Sequence, residues 1–155
     1  MKIKNILNEG YTSQNIFDKA KGQFLFQKNK KFIDLSFGAG TLILGHQSKV
    51  FKDSIKEISN KNMSLIATPN IEALKYSYVL KKLYPNYDKF IFCNTGSEAI
   101  LKSIRIANAI SSKELIISVT GSWHGSVDRT LFTSNKSLKS KPISSGLTDF
   151  NKKNI

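Results

Sequence analysis

Between residues 89 and 110 an apolar run breaks off and a helix starts without a linker. Lys89-Phe90-Ile91-Phe92-Cys93 reads as a strand, and Asn94-Thr95-Gly96-Ser97 halts it. From Glu98 to Ile110, Ile100, Leu101, Ile104 and Ala107 share one helical face, and no Gly or Pro interrupts them. Ser111-Ser112-Lys113 ends that segment. Glu114-Leu115-Ile116-Ile117-Ser118-Val119 then has the near-continuous apolar content of a strand buried on both faces. Thr120-Gly121-Ser122-Trp123-His124-Gly125 is the turn that closes it. Alternation of strand and helix is an α/β signature, and it predicts a mostly parallel sheet covered by helices.

The preceding residues fit the same class. Phe24-Leu25-Phe26 and Phe32-Ile33-Asp34-Leu35 flank the turn-like Gln27-Lys28-Asn29-Lys30-Lys31, which predicts a β-hairpin. Ser36-Phe37-Gly38-Ala39-Gly40-Thr41 is a glycine-rich turn, followed by Leu42-Ile43-Leu44-Gly45-His46. Residues 48–59 read as a helix with Phe51, Ile55 and Ile58 on one face. A second helix follows Thr68-Pro69-Asn70, with Ala73, Leu74, Ser77, Tyr78 and Lys81 at helical spacing. Pro85 stops it.

Composition bounds the functions open to such a chain. Its 155 residues fit one ordinary domain, able to bury about 70% of its unfolded surface. No run of about 18 apolar residues exists, and the lysine-bearing start lacks the apolar core of a signal peptide, so a cytoplasmic protein without membrane partners is expected. The single cysteine, Cys93, excludes an internal disulfide and reads as a small buried hydrophobe. A net charge of +13 raises nucleic-acid binding as an alternative. Against it, arginine occurs only at Arg105 and Arg129, and the lysines sit in small polar groups such as Lys28/Lys30/Lys31, Lys136/Lys139/Lys141 and Lys152/Lys153. A solvated surface is the simpler reading.

The two turns carry the candidate chemistry. At residues 95–98 the start of a helix offers free backbone N–H groups and the positive end of its dipole. Gly96 lets an anion approach closely, and Thr95 and Ser97 add hydroxyl donors. The competing reading is an ordinary N-cap, with Thr95 or Ser97 bonding the helix and Glu98 favouring its positive end. In the second turn Trp123, the only tryptophan, offers a stacking surface and His124 a hydrogen-bonding ring. Core tryptophan and loop histidine are the plain alternatives. Taken together, the turns suggest a flat ring bearing a phosphate, such as pyridoxal phosphate. A P-loop motif is absent, Gly38-Ala39-Gly40 lacks the third glycine of a dinucleotide fingerprint, and His46 and His124 have no cysteine or carboxylate at metal-ligand spacing.

At these turns the sequence resembles the class III pyridoxal-phosphate-dependent aminotransferases, and within them the glutamate-1-semialdehyde aminomutases. Asn94-Thr95-Gly96-Ser97-Glu98-Ala99 is similar to the family's N-S-G-[ST]-E-A, and Trp123-His124-Gly125 to its Y-H-G, with tryptophan replacing tyrosine. The segment Gly38-Ala39-Gly40 through Leu44-Gly45-His46 resembles the family's stretch ending L-G-H, and Ser144-Ser145-Gly146-Leu147 its S-P-G-[VI].

The resemblance implies an α/β fold: part of the large domain of the fold type I transferases, a mostly parallel sheet with flanking helices. An N-terminal segment at 1–60 would precede the first part of the cofactor domain at 61–155. It further implies that Thr95, Gly96 and Ser97 hold the phosphate of pyridoxal 5′-phosphate, or of its pyridoxamine form, with Glu98 ordering the site. Trp123 would lie against the ring and His124 beside it. Family members are longer, and their pyridine-nitrogen acid and Schiff-base lysine come later than Ile155. The chain alone is therefore expected to be inactive. It would be the front portion of an enzyme acting on a small amino-aldehyde or keto substrate, working as a homodimer or completed by a complementary chain. A non-catalytic relative is the second reading.

Overall fold

The computed structural model describes residues 15–61, 69–134 and 140–147. The chain divides into two compact units, Met1–Leu65 and Ile66–Ile155. Thr68 and the lysines at 136, 139, 152 and 153 lie outside the described residues.

The first unit is built on an antiparallel sheet in the order β1–β2–β3, formed by β1 (Lys19–Lys21), β2 (Phe24–Gln27) and β3 (Lys30–Ile33). The expected hairpin is β2–β3, with Leu25 opposite Phe32 and Gln27 opposite Lys30. Phe17 meets Phe32 edge to face at 5.4 Å between ring centres. Lys31 lays its ammonium 3.6 Å from the centre of the Phe24 ring, a cation–π contact between diagonal neighbours.

The glycine-rich turn is a single left-handed helical turn, α1 (Phe37–Gly40), with φ of 43°, 59°, 56° and 85° along its four residues. Phe37 and Ala39 carry Cβ atoms, so the left-handed conformation costs about 1–2 kcal/mol at each. Asp34 offsets this. Its buried carboxylate accepts from the N–H of Ser36 at 2.9 Å, the hydroxyl of Ser36 at 2.8 Å and the N–H of Phe37 at 3.1 Å. The other carboxylate oxygen meets His46 Nε2 at 2.8 Å, and Gly22 and His46 exchange two backbone hydrogen bonds of 2.9 Å. The hydrogen bond with His46, then that from the Ser36 hydroxyl, lowers the Asp34 pKa to about 2. The helix α2 (Lys49–Ser59) follows, capped by Ser48, whose hydroxyl accepts from Phe51 N.

In the second unit α3 (Ile71–Leu83) starts at Asn70, whose side chain accepts from Ala73 N at 2.9 Å. Its end is tied down by Lys81, which donates to Pro85 O and to the Asp88 carboxylate. Helix α4 (Gly96–Ser111) follows, then a hairpin of β4 (Phe132–Ser134) and β5 (Ser140–Pro142). Val127 and Phe132 are the buried hydrophobic residues among those described.

The runs 89–93 and 114–119 flank α4 in the order the α/β reading requires, yet neither joins a ladder; both sheets among the described residues are antiparallel. A parallel strand of this composition needs neighbours on each edge and cover on each face. Here Ile91 is 60% exposed and Ile117 90%. Among the described residues those neighbours are lacking, so the runs stay unpaired. Cys93 is half-buried at the end of the first run rather than in a core.

Candidate functional site

The local sequence builds the first turn from the helix end outward. Thr95 is extended (φ −138°, ψ 158°) and its hydroxyl accepts from Glu98 N at 3.1 Å, so it is the N-cap of α4. The Glu98 carboxylate reaches back and accepts from Asn94 N at 3.0 Å. This reciprocal arrangement is a variant of the capping box, displaced by one residue. One orphan donor of the helix, Glu98 N, is thereby satisfied, together with Asn94 N just before the cap, while the N–H groups of Gly96 and Ser97 take no partner among the described residues. An ideal Cβ on Gly96 would meet nothing within 4 Å, so the approach to those two groups is open. The N-cap and the anion seat are thus compatible: Thr95 accepts through its oxygen and keeps its proton to donate.

Across from this turn stands the second. Ser97 Oγ accepts from Ser126 N at 2.9 Å, 29 residues on. Gly125 packs directly on Ser97, and its φ of 72° lies in the left-handed region. Trp123 is 71% exposed, with its indole open to a planar group. His124 is half-buried and has no hydrogen-bond partner among the described residues. From the backbone path, the Cα atoms of Trp123 and Ser97 are at most about 12 Å apart. The structure therefore brings Thr95, Gly96, Ser97 and the 123–125 turn together. Glu98 faces Asn94 and acts on the turn rather than offering a donor to an anion.

Sequence reasoning missed the partners that make this one site. Ser126 contributes a backbone N–H, which no side-chain pattern signals, and Gly125 matters for its contact rather than for flexibility alone. The Asp34–His46 pair was also missed, since twelve residues separate them. Among the described residues, no three His, Cys, Asp or Glu side chains gather as a metal set.

A hollow opens beside these turns and shares Ser97 with them. A cavity of about 500 Å³ runs along α4, lined by Ser97, Leu101, Ile104, Arg105, Val127 and Arg129 among others, and includes neither Gly96 nor Trp123. Of its polar lining, Arg129 donates to Glu114 O. Several lysines are likewise engaged: Lys49 pairs with Asp53, Lys61 with Glu57, Lys75 with Glu72 and Lys81 with Asp88. The Lys81 hydrogen bond lowers the Asp88 pKa. No helix among the described residues is long and apolar enough to cross a membrane.

Comparison with known proteins bears on these turns. A family model described as aminotransferase class-III matches residues 7–153. A glutamate-1-semialdehyde 2,1-aminomutase of Wigglesworthia glossinidia brevipalpis is 33% identical over 137 residues, covering 85% of this chain and 31% of that protein. Among solved structures, a glutamate-1-semialdehyde aminomutase from Pseudomonas aeruginosa PAO1 superposes with a TM-score of 0.73 at 16% identity, over 86% of this chain and 29% of its own. One described as a transaminase with PLP bound gives 0.75 at 20% identity, over 89% and 33%. The chain spans under a third of the curated relative's length and at most a third of these solved chains. The structural likeness shows the fold, a part of the fold type I arrangement of those transaminases and aminomutases.

Proposed function

This chain belongs to the class III aminotransferases, and from that premise we infer that it supplies the phosphate seat and ring platform of a pyridoxal-phosphate enzyme. One observation carries the reading: two unpartnered N–H groups at the head of α4 stand beside a turn that presents an exposed indole. The donor set fits the group. Gly96 and Ser97 would give backbone N–H groups to the phosphate, and Thr95 and Ser97 their hydroxyl protons, with the helix dipole contributing up to about 2 kcal/mol in a partly buried site. Trp123 would cover a face of the ring, His124 would lie beside it, and Glu98 would keep the turn in shape through Asn94. Bound there, the cofactor supplies the electron sink for moving an amino group.

The enzyme would transfer or relocate an amino group on a small amino-aldehyde or keto substrate, glutamate-1-semialdehyde among them, in the cytoplasm. Residues 1–60 would form the N-terminal segment and 61–155 the first part of the cofactor domain. The reactive lysine and the acid facing the ring nitrogen would come from polypeptide outside this chain, which alone would bind without turning over. The unpaired runs 89–93 and 114–119 support that completion, whether by a longer chain, a homodimer partner or a complementary subunit.

Titration with pyridoxamine 5′-phosphate tests the reading, because its amine cannot condense with the many lysines. Quenching of the single tryptophan, relieved by excess inorganic phosphate, is expected. Quenching that inorganic phosphate does not relieve would count against the seat.

A further inference from the structure

Resting on the cofactor reading above, we propose that Gly125 is a positioning residue: its seat on Ser97 ties the ring platform to the phosphate seat. The contact leaves no room for anything larger. An ideal Cβ at Gly125 would stand 2.3 Å from Ser97 Oγ, 2.9 Å from Ser97 Cβ and 2.8 Å from Ser97 Cα. The last of these is helix backbone, which cannot swing aside. Next to it, Ser126 N donates to Ser97 Oγ at 2.9 Å, and Val127, one of the buried hydrophobic residues, follows immediately. Three consecutive residues therefore anchor the downstream side of the turn, while Trp123 upstream stays exposed.

Ser97 serves both halves. Its oxygen receives the Ser126 N–H, which turns the hydroxyl and leaves one proton for an anion. A ligand holding phosphate and ring in one rigid body gains from both contacts only if the two surfaces keep a fixed separation. Gly125 sets that separation. Gly125 offers neither a side-chain donor nor a ring, so its loss should weaken the ring contact most; the added methyl also crowds the Ser97 hydroxyl, so the phosphate contact should weaken too, but less.

Gly121 provides the control. It has a φ of 86°, in the same left-handed region, and an ideal Cβ there meets nothing within 4 Å. Gly121→Ala therefore imposes the backbone strain without the collision. The experiment uses the 155-residue chain, titrated with pyridoxamine 5′-phosphate and with inorganic phosphate, while amide exchange at Ser126 is followed without ligand. In Gly125→Ala, affinity for pyridoxamine 5′-phosphate should fall about tenfold, as expected for loss of one aromatic stack. Inorganic phosphate affinity should fall less, by about threefold, because the crowded Ser97 hydroxyl is itself a phosphate donor. Ser126 exchange should quicken in Gly125→Ala and not in Gly121→Ala. Equal effects of the two variants would overturn the proposal, as would an unchanged preference for the ring-bearing probe in Gly125→Ala. If the unmodified chain bound neither probe, the cofactor reading would fall first, and the positioning role with it.

Discussion

Thr95→Ala separates the two tasks assigned to one hydroxyl. In the free chain that hydroxyl accepts from Glu98 N at 3.1 Å and starts a 16-residue helix. Loss of a threonine N-cap costs about 1 kcal/mol. In a domain of this size that is roughly 3 °C in Tm. On the proposed reading, with a phosphate present the same group would also donate a charge-assisted hydrogen bond of about 1.5–3 kcal/mol, or roughly 10–150-fold in Kd. Thr95→Ser keeps both functions. Urea unfolding measures the first effect, and titration with pyridoxamine 5′-phosphate the second. The expected ordering is alanine impaired in both assays and serine near the native chain in both. If alanine loses stability but keeps affinity within about twofold, Thr95 is only a cap and its place in the phosphate seat is refuted. If alanine unfolds like the native chain, the cap assignment fails.

Three other perturbations follow from the geometry. Glu98→Gln keeps an acceptor for Asn94 N but removes a negative charge from the first turn; stability should drop by about 0.3–1 kcal/mol at low salt. Phosphate affinity should rise at the same time and the gain should vanish near 1 M salt, as paired titrations would reveal. Asp34 has a folded pKa lowered to about 2, below the ordinary carboxylate value near 3.9. Its folded form is thus favoured above about pH 4, and that contribution is lost as pH falls towards about 2. Unfolding curves between pH 6 and 2 should show this acid limb in the native chain and a weaker one in Asp34→Asn. Ile117 is 90% exposed in a run without ladder partners, so Ile117→Lys should reduce self-association in sedimentation experiments. Its effect on unfolding should stay within about 0.5 kcal/mol.

Local patterns made much of the fold legible. The hairpin β2–β3 follows from two aromatic runs around a polar turn, and α2, α3 and α4 from apolar spacing, with Ser48, Asn70 and Thr95 as oxygen-bearing caps. The left-handed turn at Phe37–Gly40 was legible only as a glycine-rich stretch. What holds the start of this turn, at Ser36 and Phe37, is a carboxylate at Asp34 whose other oxygen meets His46, and no periodicity encodes such a pairing. The runs 89–93 and 114–119 show the opposite case. Their composition suits a buried strand, but a strand is defined by partners, and composition cannot supply them. At the site, the motif residues were visible and the tie between them was not, because it passes through the backbone N–H of Ser126 and the missing side chain of Gly125.

A single NMR titration tests directly whether the two turns act as one binding surface. With pyridoxamine 5′-phosphate added to the 155-residue chain, the amides of Gly96 and Ser97 and the indole N–H of Trp123 should shift together along one binding curve. Inorganic phosphate should move the two amides and leave the indole in place. Shifts confined to lysine-rich stretches, or an indole that responds on a curve of its own, would show that the two turns do not form one binding surface.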